Sequence, residues 1–192
     1  MKRLCVFCGS ATGKPALYRD QARELGKEMV QHGWSLVYGA GHIGLMGVLA
    51  DSVLAAGGEA IGVIPQALVD RELAHRGLTE LEIVGTMHER KARMAHLADA
   101  FAALPGGFGT CDELFEILTW AQLKIHQKPV GLLNTGGFFD PLLGWMNRLV
   151  EDGFLKPHHR DLVRVASSPI DLLELINRPA SEFPEKIEPP AP

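Results

Sequence analysis

An α/β fold, with a doubly wound parallel sheet and helices on both of its faces, is the architecture this sequence predicts. Short apolar runs alternate with amphipathic stretches of helical period along most of the chain. Such β–α alternation with short loops builds parallel sheets covered on both sides. Glycine-rich turns also follow directly on several apolar runs, as at Gly9, Gly39-Ala40-Gly41 and Gly106-Gly107. There a strand must turn sharply toward a helix.

Taken in order, Leu4 to Phe7 reads as a strand and Gly9-Ser10-Ala11-Thr12-Gly13 as a loop. Pro15 to His32 is an amphipathic helix with Ala22, Leu25 and Met29 on one face, ended by Gly33. Ser35 to Tyr38 is a second strand, followed by a glycine-rich turn and a helix to Ala56. Ala60 to Ile64 is a third strand. Ala67 to Gly77 is polar, with a short helix expected to carry Asp70, Arg71 and Glu72. A strand at Glu82 to Val84 and a helix at Thr86 to Ala98 come next. Ala100 to Leu104 is a buried strand, and Thr110 opens a helix. Pro129 to Leu133 is a strand, Asp140 to Asp152 a helix, and Leu162 to Ala166 with Ile170 to Ile176 close the pattern. Residues 1–178 thus read as a single Rossmann-like domain. Residues 179–192 carry five prolines in fourteen positions and read as a disordered tail.

Composition narrows the function. At 192 residues and 46% hydrophobic, the chain can bury one sizeable core. A net charge of −4 offers no basic field for nucleic acid. No apolar run approaches the roughly 20 residues that span a bilayer, so no membrane partner is expected. Met1-Lys2-Arg3 leads straight into a strand without a signal-peptide pattern. Three cysteines make no disulfide framework, which fits a reducing cytoplasm. Cys5 and Cys8, three apart in a strand, face opposite sides and are not placed as a redox dithiol.

The stretch Leu104-Pro105-Gly106-Gly107-Phe108-Gly109-Thr110-Cys111-Asp112-Glu113 carries the strongest functional signal. A glycine turn running into a helix start brings backbone N–H groups and partial positive charge to a ligand, which suits a phosphate. Thr110-x-x-Glu113 equally satisfies a capping box, which needs no ligand. Both readings stand on these residues alone. Gly39-x-Gly41-x-x-Gly44 matches the dinucleotide fingerprint, but that motif wants an acidic residue about 20 positions on. Gly62-Val63-Ile64-Pro65 stands there instead. The segment is retained as a nucleotide- or phosphate-facing loop.

Thr86-Met87-His88-Glu89-Arg90-Lys91 combines a cap with two cations at a helix start, where the macrodipole disfavours them. Arg90 shares the inward face with Met87, Met94 and Leu97. An inward cation needs an anionic partner, either a buried carboxylate or a ligand phosphate. The helix after Glu113 is apolar on two sides: Leu114, Leu118, Ala121 and Ile125 line one, while Trp120 joins Glu113 and Glu116 on the other, with Leu123 at its edge. A second copy is the expected cover, giving a homodimer. The histidines show no metal spacing, and neither a Gly-x-Ser-x-Gly elbow nor a Walker A lysine is present. No metal or other cofactor is expected.

Pro105-Gly106-Gly107-x-Gly109-Thr110-x-x-Glu113, preceded by Met87-His88-x-Arg90-Lys91, resembles the signature of the lonely-guy (LOG) family. Those proteins are cytokinin riboside 5′-monophosphate phosphoribohydrolases, long mislabelled lysine decarboxylases. Cys8-Gly9-Ser10, Tyr38-Gly39-x-Gly41, Gly44-Leu45-Met46-Gly47 and Thr119-Trp120-Ala121-Gln122-Leu123 also match, so the resemblance spans about residues 3–178. Ala40 replaces a usual glycine, and Cys111-Asp112 stands where the family often has Leu-Glu.

The resemblance implies hydrolysis of the N-glycosidic bond of a purine nucleoside 5′-monophosphate, with Arg90 and Glu113 as the catalytic pair. It implies substrate contacts from Gly9, Ser10, Gly41, Glu72, Lys91, Gly106, Gly107, Phe108, Gly109, Thr110, Cys111, Asp112 and Thr119. An AMP nucleosidase without a cytokinin role, or a nucleotide-binding sensor, is the alternative. A pyridoxal-phosphate decarboxylase would need a lysine in a pocket context, and the sequence offers none.

Overall fold

The computed structural model describes residues 1–71 and 73–178. The expected tail at 179–192 and the candidate Glu72 therefore lie outside the described residues. Seven strands run as β1 (Lys2–Phe7), β2 (Trp34–Tyr38), β3 (Ala60–Pro65), β4 (Glu80–Val84), β5 (Ala100–Ala103), β6 (Val130–Leu133) and β7 (Val163–Ala166). The helices are α1 (Ala16–Gln31), α2 (Gly44–Ala55), α3 (Gln66–Val69), α4 (Met87–Leu97), α5 (Phe108–Gln122), α6 (Asp140–Glu151), α7 (Pro157–Arg160) and α8 (Pro169–Asn177).

The strands form one parallel sheet in the order β4-β3-β2-β1-β5-β6-β7. From β1 the chain winds outward to β4, then returns to the other side of β1 as β5. The strand order reverses between those two, which opens a crevice at their carboxyl ends.

Side-chain alternation along β1 shows how the two cores form. Leu4, Val6 and Cys8 enter the core beneath α1, α2 and α8. Cys5 and Phe7 enter the opposite core beneath α4, α5 and α6. Cys5 and Cys8 thus face opposite sides, as their spacing predicts. Burial pushes both thiols above their ordinary values.

Most elements fall within two residues of their sequence-predicted bounds; four differ more instructively. β4 begins at Glu80 instead of Glu82, because pairing with β3 from Ile61↔Glu80 onward decides its length. The short helix α3 stops at Val69, leaving Asp70 as its cap and Arg71 beyond it, in place of the expected helical positions. α5 starts at Phe108 and ends at Gln122, so Ile125 lies past the helix and is 64% exposed instead of inward. The turn of helix α7 has too short a period to register in the sequence. Among the described residues, no helix is long and apolar enough to cross a membrane.

Candidate active site

Glycine-bearing loops at the carboxyl ends of β1, β2 and β5 knit together through the backbone. The Gly9 N–H donates to the Pro105 carbonyl (3.1 Å), and the Leu45 N–H donates to the Gly9 carbonyl (3.0 Å). They surround a cleft of about 300 Å³, at the lower end of ligand-sized pockets. Its lining combines the polar side chains Ser10, Arg90, Thr110 and Glu113 with the glycines Gly9, Gly39, Gly41, Gly107 and Gly109. Cys8, Ile43, Met46, Ile64, Leu68, Leu73 and Phe108 are its apolar lining.

The helix at one end of the cleft starts earlier than its threonine suggests. Gly107, extended at φ −97° and ψ −153°, is the N-cap of α5 and supplies no side-chain cap. Thr110 is therefore inside the first turn, and the capping-box reading of Thr110 and Glu113 is corrected. Among the described residues, the first-turn N–H groups have no side-chain acceptor, which suits an anion. A Cβ on Gly107 or Gly109 would meet nothing within 4 Å, and neither residue has a left-handed φ. Among the described residues, nothing in the packing demands glycine at these positions. The space they leave open lies along the cleft.

α4 brings the cation. Thr86 Oγ1 accepts from the Glu89 N–H (3.1 Å), and the Glu89 carboxylate accepts from the Gly85 N–H (2.8 Å), so this predicted cap forms. One turn on, Arg90 points inward and is only 7% exposed. Its Nε donates to the Val63 carbonyl of β3 (3.0 Å), and its Nη1 pairs with Glu113 Oε1 at 3.2 Å. Glu113 is itself buried, 9% exposed. Burial pushes its carboxyl above the ordinary value, and Arg90 is the largest influence pulling it back down. Breaking such a buried pair by removing one partner typically costs about 3–5 kcal/mol.

Of the candidates, Gly9, Ser10, Gly41, Gly107, Phe108, Gly109, Thr110, Arg90 and Glu113 share the cleft. Others do not line it. Lys91 turns to Asp112 (3.2 Å) and Glu116 (3.1 Å). Burial alone would lower Lys91, but its bonds to Glu116 and Asp112 outweigh it and hold the ammonium above its ordinary value. Asp112 is exposed and Cys111 half-buried on α5. Gly106 sits behind Thr110, whose Oγ1 would lie 2.1 Å from an added Cβ. Thr119 is exposed farther along α5, its hydroxyl donating to the Phe115 carbonyl (2.7 Å).

Of the fingerprint glycines, Gly44 serves the chain's own packing. Gly44 has φ +66° and would place a Cβ 2.2 Å from the Ser10 carbonyl carbon, so glycine is needed there for the β1 loop to approach. Ala40, the departure from the family's glycine, is fully buried at φ +59°, a left-handed conformation that favours glycine. The apolar wall was not legible as a site.

Sheet and cleft together define a Rossmann-type α/β protein with a cleft at the switch point of the strand order. The fold is shared with the molybdenum cofactor binding protein of Rippkaea orientalis, at TM-score 0.70 and 23% identity over 92% of this chain and 96% of that one. Residues 46–176 match the family model described as "Possible lysine decarboxylase". The cytokinin riboside 5′-monophosphate phosphoribohydrolase LOG of Oryza sativa subsp. japonica is 49% identical across 95% of this chain and 75% of its own length. A cytokinin riboside 5′-monophosphate phosphoribohydrolase of Arabidopsis thaliana is also 49% identical, across 90% and 81%. The chain belongs to this LOG family of cytokinin riboside 5′-monophosphate phosphoribohydrolases.

Proposed function

We propose that the chain is a nucleoside 5′-monophosphate phosphoribohydrolase acting on AMP or cytokinin riboside 5′-monophosphates. The observation that carries this reading is the buried Arg90–Glu113 pair (3.2 Å) in a cleft closed by an uncapped helix start. It occurs in a chain about half identical to enzymes of that name. The decarboxylase label finds no support in the cleft, whose described lining includes no lysine.

In this reading the 5′-phosphate rests on the N–H groups at the start of α5, beside Gly107 and Gly109. The base lies toward Ile43, Met46, Ile64, Leu68 and Leu73, and C1′ of the ribose lies over Glu113. Cleavage of the C1′–N bond builds positive charge on the sugar, which the Glu113 carboxylate stabilises. Water forms the new C1′–O bond and one of its protons ends on the departing base nitrogen. The products are the free base and ribose 5-phosphate. Arg90 keeps Glu113 ionised and in place.

The reading includes a homodimer, supported by Leu123, Ile125 and Trp145, which leave 63%, 64% and 50% of their surface exposed beside α5 and α6. Trp120, expected to face a partner, is half-buried in its own chain's core. A cytoplasmic setting rests on three free thiols. Incubation with AMP and with isopentenyladenosine monophosphate, followed by chromatography, tests the reaction. Release of adenine or isopentenyladenine is expected, and the two rates rank the substrates. Nucleotide bound but returned intact would overturn the enzyme reading in favour of a sensor.

A further inference from the structure

Gly39 follows β2 directly and lines the cleft, yet its φ lies outside the left-handed region, so its backbone is open to any residue. The constraint comes from Arg90. A Cβ on Gly39 would stand 1.7 Å from Nη2, 2.9 Å from Cζ and 3.5 Å from Nε of that side chain. No other heavy atom comes as close to it. We propose that Gly39 is a positioning residue, whose missing side chain forms the socket that seats the Arg90 guanidinium against Glu113. This inference rests on the hydrolase reading for its kinetic consequences, though not for its geometric ones.

Three elements hold the guanidinium. The Val63 carbonyl of β3 takes Nε, Glu113 of α5 takes Nη1, and the bare backbone of Gly39 just past β2 lies against Nη2. A methyl at 39 cannot coexist with that arrangement. The obstacle is the tip of a flexible side chain, so the cheapest relief is movement of the guanidinium, and the sheet survives. The neighbouring glycines behave differently. Cβ atoms on Gly44 and Gly47 would strike backbone, at 2.2 Å from Ser10 C and 2.1 Å from His42 O. Those two serve chain packing, while Gly39 serves the ion pair.

The test is Gly39→Ala, assayed for base release from AMP across pH and solved as a crystal structure. The variant is expected to fold with a near-native circular dichroism spectrum. A displacement near 1 Å predicts a loss in kcat of about 100-fold, with KM changed much less. The acid limb of the pH profile is expected to move to higher pH, because a displaced cation no longer favours the charged form of Glu113. The crystal structure is expected to show the guanidinium moved off Glu113. An unchanged kcat and pH profile, a guanidinium still seated on Glu113, or a chain that no longer folds would each overturn the proposal. Absence of base release by the wild type contradicts the hydrolase reading instead, and the position of the guanidinium in Gly39→Ala then decides the role of Gly39 alone.

Discussion

Arg90 and Glu113 are the only oppositely charged residues that line the cleft together among the described residues, and their burial makes each dependent on the other. Glu113→Gln keeps the size and one acceptor oxygen for Arg90 but removes the charge. Base release is expected to fall by about 100-fold or more, the scale of lost transition-state electrostatics. Stability should change little, since the neutral amide escapes the burial penalty of the carboxylate while Arg90 keeps an acceptor. Parallel kinetics and thermal unfolding check this; full activity with a lowered Tm would leave Glu113 a structural residue. The pH dependence follows from burial. Because the Glu113 carboxyl is raised above its ordinary 4.5, the acid limb of kcat/KM should lie above that value and vanish in Glu113→Gln. The sign for stability runs the same way: folding is penalised while Glu113 is charged, and the penalty lifts as pH falls through its folded-state value. Arg90 was legible in the sequence as an inward cation on a helix face. Its partner was hidden because Glu113 also completes a capping pattern. The Val63 carbonyl left no trace, since any residue offers one.

α5 and α4 carry the site, and each invites a separate test. Gly109 lies in the first turn of α5 with open space over its Cβ position. Gly109→Ala should leave stability unchanged or raise it by up to about 1 kcal/mol through helix propensity. It should raise KM for AMP, because a methyl enters the open space where the proposed phosphate would rest; an unchanged KM would remove α5 from the proposed binding site. α4 is clamped to β4 by Arg93, whose Nε and Nη2 donate to Glu82 at 2.6 and 2.8 Å. Those bonds hold Glu82 below its ordinary 4.5, so their stabilisation is present above that value and lost as pH falls through the lowered one. Glu82→Gln should therefore flatten the acid-side decline of Tm, which a pH series of melting curves would show. The elements themselves were readable because strands covered on both faces become unbroken apolar runs, as in β3, buried along its whole length. Boundaries failed where glycine governs: Gly107 let α5 begin two residues before the threonine signal.

At the scale of the whole molecule, the winding of seven parallel strands explains why residues from distant stretches meet. Gly9, Gly39, Arg90 and Glu113 follow or flank different strands, and the reversal of order between β1 and β5 gathers them at one crevice. That convergence could not be read from periodicity, which gives elements but not their neighbours. A dimer through the exposed Leu123, Ile125 and Trp145 predicts twice the chain mass in light scattering, and Leu123→Glu should shift it toward monomer. A wild-type monomer at micromolar concentration would place the apolar patch outside any self-association. The central claim, that a phosphate held at the start of α5 presents a glycosidic bond to the Arg90–Glu113 pair, is tested most directly by comparing AMP with adenosine. Loss of two charge-assisted hydrogen bonds predicts a kcat/KM for adenosine lower by about 100-fold or more. Equal kcat/KM for the two substrates would contradict it.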